Sequence, residues 1–485
     1  MYDVIVIGSD LSSFIAALLS ARYGRKTLLL DESGLGDCLT LSGYTFNIDP
    51  LPWSGFGNGQ IFTKLFSELN IPLPDPAKIS PLNPAFQVIL PEQRIDFFID
   101  REALINDISR EYPADGKQIQ NLYQSVDKLS ETLEKSILES LGAGDATLKD
   151  RVQNWLDMPF FAGDIWRLSQ KLRGLEKLPE LGKLFDSELT LFSSQHVNHE
   201  KPLSSAYLLS LPWRGVYYLF GGKHLLIGQL RRRYEELRGE SLTDCSITAI
   251  RTGAKIEVDI KPKGKPISVV GQELVISAKS PALPGLLAGD KKLSKLARRL
   301  RRVEPSQYLF TLHMGIENRG LPDRMSEYVI FVPHEHDSGA SETGPFLFLE
   351  SSVAEDTGLA PRGKRTLTAT AFLARSPRDT GDGELKSIGE QMLKTLERFL
   401  PFLRESLALI DMDRSIEVSR RYQHVVNPRY RFSGRLLPGL STLPIQSPLR
   451  NVLITGGITF AGLGFEGEVL SGMKAGYLVA GGAEI

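Results

Sequence analysis

Three positions near the start of the chain determine which cofactor chemistry it can hold. Gly8, Asp10 and Ser13 stand at the spacing of the glycines in G-x-G-x-x-G. In that fingerprint the second glycine lets the backbone approach a pyrophosphate, and the third lets helix and strand pack closely. Asp31 follows about 20 positions later, where dinucleotide-binding units keep an acid for a ribose hydroxyl. The spacing therefore favours a dinucleotide, and Asp10 opposes it. One added negative charge at about 4 Å from a phosphate costs about 1 kcal/mol in water and about 4 kcal/mol at an intermediate effective dielectric. Asp is also among the best helix N-caps. Asp10 is thus set to accept the amides of Ser12 or Ser13 and to fill the helix end with the protein's own anion.

The elements around these residues follow from the pattern of apolar positions. Val4–Ile7 is a wholly apolar β-branched run, as a strand buried on both faces should be. Leu11, Phe14, Ile15, Leu18 and Leu19 mark one face of an amphipathic helix, and Gly24 is its stop. Thr27–Leu30 is a second buried strand, ending at Asp31. A glycine-rich loop with Tyr44, Phe46, Trp53 and Phe56 comes next, where open α/β sheets bind ligands. Residues 60–70 predict a short helix, and FQVILP with RIDFFID a hairpin. Helical patterns run from Arg101 to about Gly142 and from Leu148 to about Leu191. The second block carries Trp155, Phe160, Phe161 and Trp166 beside bases, and core helices are preferred there over a membrane-surface helix. RGVYYLFGGKHLLIG reads as strand, paired glycine and helix. SITAIRT, KIEVDIKP and ISVVGQELVISA read as antiparallel strands, the last apolar enough to rejoin a parallel sheet. Lys291 to Arg302 form a basic helix, read as a solvated face, with an anionic partner as the alternative. Four further strand patterns (QYLFTLHMGI, EYVIFVP, FLFLESS, TLTATAFL) predict a second sheet, and SIGEQMLKTLERFLPFL another helix. The chain closes on the strand Val452–Ile454, a glycine-rich loop and a helix of small residues.

Composition narrows the class. A chain of 485 residues has room for two or more domains. Its 42% apolar and 24% charged content is that of a soluble globular protein, and a net charge of −1 gives no reason to expect nucleic acid. Cys38 and Cys245 form no metal or redox motif, so two reduced thiols and a cytoplasmic location are the default. The first strand begins by residue 3, leaving no place for a signal peptide of the usual form. No stretch reaches about 18 uninterrupted apolar residues, so no spanning helix is expected. Peripheral contact with a membrane stays open.

Taken in order, these blocks resemble the two-domain flavoprotein amine oxidase and phytoene desaturase superfamily over nearly the whole chain. SGYTFNIDPLPW is similar to its glycine-aromatic-x-aromatic-Asp-x-Gly-Pro stretch. Gly215-Val216-Tyr217-Tyr218 with Gly221-Gly222 resembles its glycine-aromatic-Pro-x-Gly-Gly block. Ile247–Ile250, the strand to Ser277-Ala278, and Pro281 follow in the family's order. Pro305-Ser306-Gln307, Ala360-Pro361 with Gly363-Lys364, and GLGFEGEVLSGMKAG are similar to the desaturase-like branch.

The resemblance implies an α/β fold: a Rossmann-type FAD-binding domain interleaved with a mixed-sheet plus helical substrate domain. The FAD domain would comprise residues 1–75, 205–285 and 426–485, and the substrate domain 76–204, with a helical insert, and 286–425. FAD would lie with its pyrophosphate on Gly8, Ser9, Asp10, Leu11 and Ser12, at a helix N-terminus that attracts anions. Asp31 and Glu32 would take the ribose, the backbone at Ile247 the adenine, and Gly456-Gly457 the ribityl chain. Gly464, Phe465 and Glu466 would turn the last helix toward the flavin pyrimidine. No catalytic acid or base is implied, because the flavin carries the chemistry. The departures gather at this cofactor: Asp10, Ser13, Gly34-Leu35-Gly36 in place of a Gly-Gly pair, Asn47 and Asp49 in the aromatic loop, and Gly457 where an Asp is usual.

Two functions follow. One is an FAD-dependent oxidoreductase, desaturase- or isomerase-like, acting on a long apolar substrate such as an isoprenoid. The other is a non-redox relative that has lost or weakened FAD binding and binds a lipid or a protein; the Rab escort and GDP-dissociation inhibitor proteins are superfamily members of that kind. Smaller candidates are weaker. His334-x-His336 and His196-x-x-His199 have ligand-like spacing without a third partner, so no metal is expected. His313, on an alternating strand, reads as structural before it reads as cavity-facing, and strand packing accounts for one of Tyr217 and Tyr218. Ser12 and Ser13 lie in no G-x-S-x-G elbow.

Overall fold

The apolar run at the N-terminus becomes the strand Tyr2–Ile7, with Val4 to Ile7 fully buried. The computed structural model describes residues 1–32, 38–73, 75–139, 141, 159–261, 265–334, 344–422, 428–432 and 443–481. Tyr2–Ile7 lies between Thr27–Asp31 and the long strand Ile267–Ser277, parallel to both. Glu240–Thr243, which the sequence did not announce, pairs in parallel outside Thr27–Asp31, and Val452–Thr455 pairs in parallel with the end of Ile267–Ser277. The first half of Ile267–Ser277 is antiparallel to Ile256–Lys261, which pairs with Ser246–Arg251. One strand thus serves both predicted arrangements.

The register brings the carboxyl ends together. Ile7 lies opposite Leu30 and Ile276, Thr243 opposite Asp31, and Ser277 opposite Thr455. Gly8, Asp31, Ser277 and Thr455 therefore leave the sheet along one edge, the edge where such sheets take ligands.

The helix Leu11–Arg22 starts at Asp10 and stops at Gly24, whose φ of +77° suits glycine. It is not amphipathic as expected. Every residue from Leu11 to Ala21 is buried, because the helices Lys223–Glu236 and Gly464–Val479 pack on it. Its serines and alanines are small enough to sit inside. In Gly464–Val479, a Cβ at Gly472 would stand 2.4 Å from the Ser12 carbonyl oxygen, and one at Gly476 would stand 2.7 Å from Leu19 Cβ. The two backbones meet where glycine leaves room.

The second sheet runs in the order Leu407–Ile410, Val303–Glu317, Lys364–Leu373, Leu347–Ser351, Tyr328–Phe331, Phe86–Ile89 and Arg94–Phe97, with Arg429–Phe432 pairing on the first half of Val303–Glu317. The last two strands of that order form the expected hairpin. Helices Arg101–Glu111, Gly116–Glu139, Pro159–Leu175, Pro179–Phe192 and Pro202–Leu209 form the helical block. Trp155 and His336 lie outside the described residues, and Trp166 is exposed. The region after Asp31, read as loop, contains the hairpin Cys38–Leu41 with Tyr44–Asn47, and Trp53–Ser54 pairs with Val216–Tyr217. Alternating aromatics there are strand periodicity. The basic run divides into a 3-10 turn, Lys291–Leu293, and the helix Ser294–Leu300, with Leu293, Leu296 and Ala297 buried and Lys295 and Arg298 exposed. Among the described residues no helix is long and apolar enough to cross a membrane. Both cysteines are free.

Candidate functional site

Asp10 sits at the head of the first helix with its carboxylate turned inward. Oδ1 accepts the Ser13 amide at 2.9 Å and the Ser12 hydroxyl at 2.6 Å. Oδ2 accepts the Ser277 hydroxyl, and Lys279 Nζ stands 4.0 Å away. Asp10 is 1% exposed. Burial pushes its acid up; the Lys279 charge, the two hydroxyls and the Ser13 amide outweigh that and hold it below its ordinary value. Asp10 is an ionised carboxylate at the helix end where a phosphate would sit.

Its surroundings are equally full. A Cβ on Gly8 would fall 2.3 Å from Ser13 Oγ, and that hydroxyl lies 3.2 Å from Thr455 Oγ1. The third fingerprint position thus ties the first helix to the last strand of the sheet. All residues from Gly8 to Ser13 are buried, as are Gly456 and Gly457. The Gly456 amide is spent on Ser471 Oγ at 3.2 Å. Asp31 is buried beside Thr243, and Cys245 lies against its carbonyl. Burial raises the Glu32 acid to about 7 against the hydrogen bond from Ser280, helped by the charges of Asp31 and Asp10. Ile247 stands at a register shift in its strand, and its side chain joins the apolar cluster of Leu30 and Cys245.

The two other sets of departures are filled in the same way. Lys223 Nζ donates to the carbonyl oxygens of Asp49, at 2.7 Å, and Leu51, and lies 3.7 Å from Glu350 Oε1. Asn47 Oδ1 accepts the Lys223 amide at 2.9 Å, and its amide group donates to Glu350 Oε1 at 3.0 Å. At the head of the last helix, Glu466 accepts from Ser54 Oγ, Tyr207 Oη and Arg214 Nη2, at 2.7, 2.7 and 2.8 Å. Arg214 also reaches Glu134 at 3.1 Å. Phe465 stacks on Trp53 with ring centroids 4.8 Å apart. The start of this helix packs against neighbouring backbone. A Cβ on Gly464 would fall 1.8 Å from the Phe192 carbonyl oxygen, and the Ser194 amide donates to the Ala461 carbonyl at 3.1 Å. The segment Phe192–Ser194 covers it.

FAD can therefore be tested against the residues present. A pyrophosphate at the first helix would have to displace Asp10 or lie against its charge. At the first helix the residues as arranged oppose the cofactor's phosphates. Sequence reasoning found Asp10 and Glu466 but not their partners Lys279, Ser277, Arg214 and Tyr207. Ser277 and Lys279 at the end of a parallel strand carried a positional signal. Arg214 and Tyr207 carried none, because they reach Glu466 from a helical segment far away in sequence.

His313, His199 and Tyr218 each have a partner in the structure. His313 is buried, with Nδ1 3.3 Å from Ser415 Oγ and its ring edge-on to Phe46 at 5.4 Å; burial lowers its pKa to about 3. His199 Nδ1 lies 2.5 Å from Glu176. Tyr218 donates to Asp356 at 2.8 Å.

No protein-family model and no curated protein sequence matches the chain. Solved structures do. An oxidoreductase from Methanosarcina mazei is 14% identical with a TM-score of 0.60, over 97% of this chain and 99% of that one. Cyclohexylamine oxidase from Brevibacterium oxydans is 13% identical with a TM-score of 0.58, over the whole of both chains. Rab GDI from Plasmodium falciparum is 12% identical with a TM-score of 0.53, over 99% of this chain and 98% of that one. The likeness shows the fold alone: over nearly its whole length the chain has the α/β architecture of these solved structures.

Proposed function

We propose that this chain is a non-redox member of that fold, a binding protein whose nucleotide seat is closed by its own Asp10 and Lys279. The observation that carries the reading is the buried Asp10 on the helix N-terminus, whose carboxylate accepts from Ser12, Ser13 and Ser277 with Lys279 Nζ 4.0 Å away. The internal ion pairs Lys223–Glu350 and Arg214–Glu466, at the other two departures, support it. Its partner would be a lipid or a protein, taken up by the substrate-side sheet and helices, in the cytoplasm or at a membrane surface. The purified protein is expected to be colourless and to stay so on titration with FAD. Asp10→Gly with Ser13→Gly removes the anion and the hydroxyl, leaves Lys279 for a phosphate, and should raise FAD affinity about tenfold or more. A wild-type protein that is yellow as isolated, or that takes up FAD with a Kd below about 1 μM, sinks the proposal.

A second reading is an FAD-dependent oxidoreductase, desaturase-like and acting on a long apolar substrate. The whole-chain likeness to solved amine oxidases favours it, as do Asp31 and Glu32 at the end of the second strand. It predicts flavin absorbance in the visible from the protein as isolated.

A further inference from the structure

Residues 291–302, KKLSKLARRLRR, hold seven bases and no acid in twelve positions, in a chain whose net charge is −1. Leu293, Leu296 and Ala297 are buried in one apolar cluster with Ile256 and Leu274 of the first sheet. Lys291, Lys295, Arg298 and Arg302 fall at i, i+4, i+7 and i+11, on the side turned away from that cluster, and all four are exposed. Lys292 and Arg301 are exposed beside them. The preceding helix, Leu283–Gly289, carries no charge. Asp290, between the two, is engaged within the chain: it accepts the Lys292 amide at 2.8 Å and the Thr252 hydroxyl at 3.1 Å. The Thr252 bond holds the turn before Ile256 beside this row, with Lys255 exposed on it, and Asn451 Nδ2 donates to the Gly253 carbonyl at 3.1 Å, which adds the exposed Arg450. Bases on another exposed helical surface are paired with acids, Lys386 with Asp413 at 2.7 Å and Arg404 with Glu390 at 3.4 Å. Among the described residues no ion pair engages Lys291, Lys292, Lys295, Arg298 or Arg301.

A helical row of bases whose apolar side is already buried in its own protein meets an anionic partner by charge and does not insert. Two partners are polyanions, a bilayer with acidic headgroups and a nucleic acid. The stretch 281–302 contains no aromatic residue to stack on bases and no Asn or Gln to read their edges. Clusters of about four to eight bases on such a helix suit acidic headgroups, which are spread over a plane and need no register. We propose that the ridge at residues 291–302 docks the protein on an anionic bilayer surface by electrostatic attraction. The ridge lies on the outer side of the first sheet, away from the first helix and its Asp10. The proposal therefore stands whether the protein is a binding protein or an oxidoreductase.

Co-sedimentation of the full chain with vesicles tests it, using phosphatidylcholine alone and phosphatidylcholine with about 30% phosphatidylserine, at about 0.15 M salt. The protein should bind the second and not the first, and binding should fall about tenfold or more at about 0.5 M salt. Lys295→Gln with Arg298→Gln, both exposed, should weaken binding about 25-fold, at about fivefold for each base lost. Lys386→Gln with Arg404→Gln removes the same net charge from exposed, paired positions and should change binding less than about twofold. Circular dichroism confirms that each variant is folded. The proposal is overturned by failure of wild type to bind the phosphatidylserine vesicles, by equal binding to phosphatidylcholine alone, or by wild-type binding in the folded Lys295→Gln, Arg298→Gln protein. An equal loss in the Lys386→Gln, Arg404→Gln protein overturns it too, since net charge and not the ridge would then be at work. So does release from the vesicles by a DNA duplex at about equal phosphate and phosphatidylserine concentrations, which would make the ridge a nucleic-acid surface. None of these readouts depends on whether the protein holds flavin.

Discussion

Glu188 and Asp10 are both buried carboxyl groups, and their surroundings give them opposite states. Neither carboxyl oxygen of Glu188 has a hydrogen-bond partner among the described residues, and burial alone raises its acid well above the ordinary range. Burial thus favours its neutral form, and the carboxyl is unsatisfied among the described residues. Glu188→Met should stabilise the fold by about 1–3 kcal/mol in a denaturant melt, since it removes a buried polar group without orphaning another. A loss of stability would instead mean that the carboxyl makes a contact that matters. Asp10 is held charged by Lys279, Ser12, Ser277 and Ser13, after burial has pushed the other way. A carboxyl whose folded value lies below its unfolded one stabilises above the unfolded value, and that stability is lost as pH falls through the folded value. The capping role of Asp10 was legible in the sequence because it acts on the next three residues. The pairing with Lys279 was not, because only the sheet register brings Ser277 and Lys279 to that edge.

At the scale of elements, the first and last helices form the tightest helical contact at the site. Gly472 lies against the Ser12 carbonyl, and Gly476 against Leu19. Gly472→Ala would put a methyl 2.4 Å from backbone, which cannot turn aside as a side chain can. It should lower stability by about 1–3 kcal/mol, and Gly363→Ala, placed in open space but at a φ of +77°, should cost about 1 kcal/mol from backbone strain alone. Thermal melts of the two variants separate crowding from strain; equal losses would contradict this account of the helix contact. The small-residue character of the last helix was visible in EVLSGMKAG, and its partner's was not. Serine and alanine in Leu11–Arg22 read as a polar face, yet here they are the thin side of a helix packed on all sides. The strands of both sheets were legible by their alternation and β-branching. Glu240–Thr243 was missed because a short polar edge strand is held by backbone pairing with Thr27–Asp31.

For the whole molecule, the acids that burial raises set the response to pH. Glu32 and Glu350 are both lifted to about 7 chiefly by burial. Their folded values lie above the unfolded ones, so the folded state holds more protons between about pH 4.5 and 7, and stability should fall as pH rises through that range. The melting temperature should drop between about pH 5 and pH 8, and Glu32→Gln with Glu350→Gln should flatten the slope. A wild-type slope of opposite sign would count against this assignment. The overall architecture was readable because weak motifs stood in the right order along the entire chain; the state of the seat was not, since it depends on cations contributed from elsewhere in the sequence. The Asp10–Lys279 pair has a further consequence in terms of supply. A flavoprotein's stability follows the free concentration of its cofactor by mass action. Here the anion on the first helix is part of the chain, so its effective concentration is set by the fold itself and does not vary with the cell's flavin pool. Such a protein would mature at the same rate and to the same stability in flavin-starved and flavin-replete cells.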